Sequence, residues 1–201
     1  MTIELDDKRT NLGELRRRDQ LLMLRMGNEE LEISELGQQA YDLLLEDGTS
    51  IVFPEIVQEL RADLVVFPEL SICGYPPEDL LFHAGLRHAV ERSLEEIRAS
   101  VNGIAVLVVF PEYQGEEIFN SCAVIADGEY LCHYRKRCLP NYVVFDEERY
   151  FTAGKSASVF KLNGIRIGLN ICEDIWRQAP ISASRAAGAE VIVAINGSPY
   201  Q

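Results

Sequence analysis

Through the first fifty residues, apolar side chains recur at helical intervals. Leu12, Leu15, Leu22 and Met26 mark residues 11–26, and Leu31, Leu36, Tyr41 and Leu44 mark residues 29–45. The spacing predicts two helices, each with a solvated face, and Asp47-Gly48-Thr49-Ser50 closes the segment with a turn signal. From residue 51 the pattern shortens. Residues 62–67, 104–110 and 190–195 are continuous apolar runs, as expected of strands buried on both faces. Between the first two, residues 78–99 carry Leu80, Leu81, Ala84, Val90, Leu94 and Ile97 on the stripe of an amphipathic helix. Two hairpins follow. Residues 118–126 and 129–134 flank Asp127-Gly128, and residues 157–162 and 165–171 flank Asn163-Gly164. Both dipeptides supply the positive φ that tight hairpin turns require. Parallel crossovers mixed with hairpins predict an α/β fold with mixed sheets covered by helices.

One phrase recurs: Val-Phe-Pro-Glu ends at Glu55, Glu69 and Glu112. The spacings are unequal, so this is no structural repeat. It describes a buried strand stopped by proline, with a carboxylate at the strand's C-terminal end, where α/β sheets place their ligands. The phrase alone does not say which glutamate matters.

Composition narrows the function. The 201 residues are 47% hydrophobic, the globular norm, and 32 acidic against 19 basic residues give a net charge of −13. That balance argues against nucleic acid or an anionic membrane as partner. About half of the charge falls in residues 1–50 (12 acidic, 6 basic). No apolar run approaches the roughly 20 residues of a membrane span, and the N-terminus lacks a signal-peptide pattern. Five irregularly spaced cysteines do not read as a disulfide framework, so a reducing cytoplasm is expected.

The sequence contains no G-x-G-x-x-G, G-x-x-x-x-G-K-[ST], G-x-S-x-G or H-E-x-x-H motif. Cys132, His133 and Cys138 lie close together, but two further ligands at zinc spacing are lacking, so no metal site is expected. The informative positions are three strand ends: Phe67-Pro68-Glu69, Tyr134-Arg135-Lys136 and Asn170-Ile171-Cys172-Glu173-Asp174. On one mixed sheet, a carboxylate, an ammonium and a thiol would meet at its rim. That set suffices for acyl transfer without histidine: the carboxylate takes the thiol proton and the ammonium steadies the oxyanion. Strand-end Glu, Lys and Cys also serve as capping or packing residues, and spacing alone leaves both readings open.

The ordered trio Glu69, Lys136 and Cys172, each in its phrase, resembles the nitrilase (carbon–nitrogen hydrolase) superfamily. Two longer phrases, residues 69–81 and 139–151, are similar to the glutaminase domain of glutamine-dependent NAD synthetases. The resemblance covers about residues 60–201. It implies an αββα sandwich and hydrolysis of the glutamine side-chain amide. Cys172 would attack the amide carbon, Glu69 would act as base and Lys136 would hold the oxyanion. Glu147 matches a second glutamate that supports the lysine. Tyr75, Tyr142, Glu173 and Ser198 match positions lining the glutamine pocket. The step implies no cofactor. ATP and deamidated NAD enter only through a synthetase domain or subunit that would receive the ammonia and that this sequence does not contain. Pairing of copies into a homo-oligomer is implied as well.

The match has departures. Val143 stands where the family pattern leads one to expect glycine, so a stiffer loop is expected. Residues 1–50 do not match the family's opening, residues 51–60 carry a strand phrase where a helix is expected, and the pattern's closing elements lie past Gln201. The reading is therefore an atypical acidic helical segment over 1–50, followed by a nitrilase-like amidohydrolase domain over 51–201, short at both ends. Two alternatives stay open: an amidase or nitrilase acting on another small amide, or an inactive domain serving as an interaction module. Cys73, Cys122, Cys132 and Cys138 are expected to be small packing residues, and Glu55 and Glu112 solvated strand ends.

Overall fold

A computed structural model describes residues 22–26, 31–35, 62–143 and 145–197. Two sheets face each other. The larger has the order β2-β1-β3-β4-β5-β6 and the smaller β7-β8-β9. The first comprises β1 (Leu22–Met26), β2 (Leu31–Glu35), β3 (Leu64–Val66), β4 (Ala105–Gln114), β5 (Glu117–Ala126) and β6 (Glu129–Arg135). The second comprises β7 (Val159–Leu162), β8 (Ile165–Ile171) and β9 (Val191–Ile195). Parallel neighbours are joined by helical crossovers: α1 (Ala84–Ser100) links β3 to β4, and α2 (Gln178–Ala186) links β8 to β9. The remaining pairs are antiparallel.

Alternation along the strands sorts the side chains into two layers. Leu64, Val66, Leu107, Val109, Cys122 and Val124 face Phe160, Ile167, Leu169, Ile171, Val193 and Ile195 across the gap between the sheets. Val65, Val106, Val108, Ala123 and Ile125 turn the other way, onto Val90 and Leu94 of α1. On the far side α2 comes close over Gly168, where a Cβ would stand 2.9 Å from that of Ala189 and 3.2 Å from that of Ser184. The layers run helix, sheet, sheet, helix, the expected α/β sandwich.

Both hairpin turns are as the sequence predicts, with positive φ at Asp127 and Gly128 and at Asn163 and Gly164. Three expectations need correction. Helical spacing over residues 11–26 and 29–45 gives way to strands at Leu22–Met26 and Leu31–Glu35. In the second of these, Leu31 and Ile33 alternate with polar Glu32 and Ser34. β1 also finds an antiparallel partner in β3, and tertiary pairing overrides local spacing. The rest of residues 1–50, the Asp47–Ser50 turn, Glu55 and residues 51–60 lie outside the described residues.

The helix predicted over 78–99 is divided. Glu78–Phe82 forms a 3-10 turn, His83 is extended, and α1 starts at Ala84. Leu81 belongs to the core between the sheets, whereas Val90 and Leu94 belong to the outer one. The chain changes direction between them.

β4 does not stop at its proline. It runs through Pro111, which stands opposite Asn120. The Asn120 carbonyl points toward β6, where it accepts the Lys136 N–H at 2.8 Å. The proline ring therefore displaces no hydrogen bond between β4 and β5. Glu112 is consequently no free strand end: it pairs with Arg135 and accepts from Ser121 at 2.7 Å.

Candidate active site

Glu69 and Lys136 leave the ends of β3 and β6 in the larger sheet, and Cys172 leaves the end of β8 in the smaller one. The three strand ends therefore meet across the sandwich rather than on one sheet. Lys136 Nζ lies 2.8 Å from Glu69 Oε1. It also lies 2.8 Å from Glu147 Oε1 and 2.7 Å from Oε2. All three side chains are buried, Glu69 at 2% and Lys136 at 0% exposure. An ammonium has three donors. Among the described residues two are engaged by the carboxylates, which leaves one for a developing oxyanion.

Electrostatics follow from this burial. Desolvation works to lower the Lys136 pKa, but the facing charges of Glu69 and Glu147, with that of Cys172, outweigh it and hold the ammonium above its ordinary value. Glu147 moves the other way. Burial pushes its carboxyl up to about 7 against the pull of Lys136, with Glu69 adding to the rise. Tyr75 donates to Glu147 Oε1 at 3.1 Å, and burial beside these carboxylates raises its phenol.

Cys172 is buried and has a φ of +44°, in the left-handed region, as it turns from β8 into the 3-10 segment Cys172–Trp176. A non-glycine residue held there is strained, a feature that gathers at functional sites. A charge on its sulfur acts on Lys136, Tyr75 and Tyr142. The other cysteines differ. Burial pushes Cys73 up to about 12 and Cys132 up to about 11 and raises Cys122 and Cys138 as well, so these thiols stay protonated. Among the described residues no group of His, Cys, Asp or Glu side chains is placed to hold a metal ion.

The remaining expected residues lie around this centre. Tyr142 donates to Glu173 Oε2 at 2.7 Å, and Arg177 holds Glu173 Oε1 from the other side at 2.8 Å. Phe145 sits between Tyr75 and Tyr142, with ring centroids at 6.5 and 5.6 Å. A cavity of about 280 Å³, lined by Tyr75, Phe145, Glu147 and Phe151, opens behind Glu147. Ser198 lies outside the described residues. Its neighbour Gly197 donates its backbone N–H to Glu69 Oε2 at 3.2 Å.

Two residues that hold the site together escape the motif reading. Asp174 is fully buried and joins the two halves. Its Oδ1 accepts from the backbone N–H of Arg137 and Cys138 at 3.1 and 2.8 Å. Its Oδ2 accepts from Tyr134 at 2.8 Å and from the Ile171 N–H at 3.1 Å. The residues after Lys136 are thereby tied to the turn that carries Cys172. Asn120 donates to Glu69 Oε1 at 2.8 Å. Its signal was a polar residue inside the apolar run of β5.

Comparison with known proteins places the chain in a family. The carbon-nitrogen hydrolase family profile matches residues 27–201. The chain belongs to the carbon–nitrogen hydrolase family. A glutamine-dependent NAD(+) synthetase of Xylella fastidiosa is 43% identical over 145 residues, covering 71% of this chain and 27% of that protein. The Thermotoga maritima protein of the same name is 41% identical over 149 residues, covering 72% and 26%. The solved glutamine-dependent NAD+ synthetase of Acinetobacter baumannii superposes with a TM-score of 0.71 at 36% identity, covering 75% of this chain and 29% of that one. An amidase from Nesterenkonia sp., at 22% identity and a TM-score of 0.67, shares the fold over 89% of this chain and 66% of its own. This carbon–nitrogen hydrolase thus spans about a quarter of the length of the NAD synthetases it matches. Among its described residues no helix is long and apolar enough to cross a membrane.

Proposed function

We propose that this carbon–nitrogen hydrolase cleaves the side-chain amide of glutamine to glutamate and ammonia through a thioester on Cys172. The observation that carries the reading is the closed Glu69–Lys136–Glu147 chain, with Lys136 2.8 Å from Glu69, beside a strained cysteine at a strand end. In this reading Glu69 takes the thiol proton as sulfur attacks the amide carbon, and the third N–H of Lys136 meets the oxygen as it becomes anionic. Collapse expels ammonia with the proton from Glu69. A water deprotonated by the same carboxylate then releases glutamate. Glu147 keeps Lys136 charged and aimed. Tyr142 and Glu173 would hold the amino-acid end of the substrate, with Tyr75 and Ser198 completing the pocket.

Glutamine plus water balances to glutamate plus ammonia, so the step draws on no cofactor. ATP and deamidated NAD would be used by a synthetase unit that receives the ammonia, the arrangement suggested by the names of the longer relatives. Five cysteines at irregular spacings fit a cytoplasmic setting. The test is ammonia release from glutamine by the full chain and by Cys172→Ala with its fold retained by circular dichroism. Loss of release in the variant supports the reading, and unchanged release overturns it.

A further inference from the structure

We propose that Asn120 is a positioning residue that fixes the Glu69 carboxylate and leaves Glu69 Oε2 as the oxygen that exchanges the proton with Cys172 and the leaving amine. The inference rests on the function proposed above and adds to it a residue and an atom.

Asn120 sits on β5 at 0% exposure and touches both catalytic elements. Its backbone carbonyl accepts the Lys136 N–H at 2.8 Å, which sets the strand position of the lysine. Its side-chain Nδ2 donates to Glu69 Oε1 at 2.8 Å, the oxygen that Lys136 Nζ also reaches at 2.8 Å. An ionised carboxylate only accepts, so the amide must turn its NH₂ toward Glu69. That orientation leaves Asn120 Oδ1, a buried acceptor, without a hydrogen-bond partner among the described residues. An unsatisfied buried polar atom calls for a reason, and the hold on Glu69 supplies one. A β-branched residue would otherwise suit a buried strand better.

The two oxygens of Glu69 are therefore unequal. Oε1 carries two side-chain donors, one of them charged, whereas Oε2 accepts the neutral backbone N–H of Gly197 at a longer 3.2 Å. A proton settles on the less engaged oxygen. As Sγ bonds to the amide carbon, the S–H bond breaks and its proton passes to Oε2. When the C–N bond breaks, the same proton leaves with the nitrogen.

The test follows alkylation of Cys172 by iodoacetamide in the full chain, by peptide mass spectrometry, from about pH 5 to about pH 9. This readout needs no glutamine. In Asn120→Asp a second carboxyl faces Glu69 and the pair shares one proton, so the acid limb moves up by about one pH unit or more. Asn120→Ala removes the donor without adding charge and moves the limb the same way by about half a unit. Turnover of glutamine should fall about tenfold or more in kcat, with KM changed less than about threefold. If either variant, folded by circular dichroism, keeps its acid limb within about 0.2 unit of the parent, the assignment of Asn120 is overturned. A parent chain that alkylates as described yet releases no ammonia from glutamine overturns the substrate, while the alkylation limb still decides Asn120.

Discussion

Lys136 Nζ stands 2.8 Å from Glu69 Oε1, and neither side chain is open to solvent. With Glu147 on its other side, one ammonium faces two buried carboxylates. Lys136→Met leaves those charges facing each other without compensation. The expected cost is about 3–5 kcal/mol by denaturant unfolding, together with loss of amide hydrolysis. A folded Lys136→Met chain that loses less than about 1 kcal/mol contradicts this account of the cluster.

Glu147 gives the cluster a pH signature. Its folded pKa is raised from 4.5 to about 7 by burial, so the folded state holds its proton more readily than the unfolded chain. The contribution to stability is fully present below the unfolded value and is lost as pH rises through about 7. Unfolding free energy should decline between about pH 5 and about pH 8, by up to about 3 kcal/mol. Glu147→Gln should flatten that decline. Equal slopes for parent and variant in denaturant titrations would place the pH dependence elsewhere.

Gly154 backs the lysine. Its N–H donates to the Lys136 carbonyl at 2.7 Å, and a Cβ there would lie 2.2 Å from the Arg135 carbonyl oxygen. Gly154→Ala must push β6 away just before Lys136. A loss of about 2 kcal/mol and a marked fall in kcat are expected, and unaltered kcat in a folded variant speaks against such tight backing.

Val143 has a φ of +56° and is 95% exposed. A β-branched residue in the left-handed region is an outlier, and among the described residues its exposure leaves little packing to compensate it. The glycine that the resemblance places here would fit without strain. Val143→Gly should gain about 1 kcal/mol, or about 2–4 °C in Tm, read by thermal unfolding. A lower Tm would show that the turn is held by something other than backbone preference.

Legibility in the sequence followed the range of the interaction. Asp127-Gly128 and Asn163-Gly164 form turns within a few residues, and their positive φ is visible in the dipeptides. Glu69, Lys136 and Cys172 could be placed at strand ends because the apolar runs stop there. Their meeting across two sheets could not be read, since it depends on how β8 docks against β3 and β6. Asp174 and Asn120 were hidden for the same reason. Each acts on partners 36 to 51 residues away, and neither spacing nor composition carries that distance. The N-terminal strands show the opposite failure: β1 gains its state from pairing with β3, and residue spacing read as helix.

Cys172 is proposed as the nucleophile for a glutamine-like amide. A diazoketone analogue of glutamine, incubated with the full chain and followed by peptide mass spectrometry, tests it most directly. A single adduct on Cys172 is expected, slowed by added glutamine and absent in Cys172→Ala. An adduct on Cys73, Cys122, Cys132 or Cys138 instead, or labelling of Cys172 that glutamine does not slow, would contradict it.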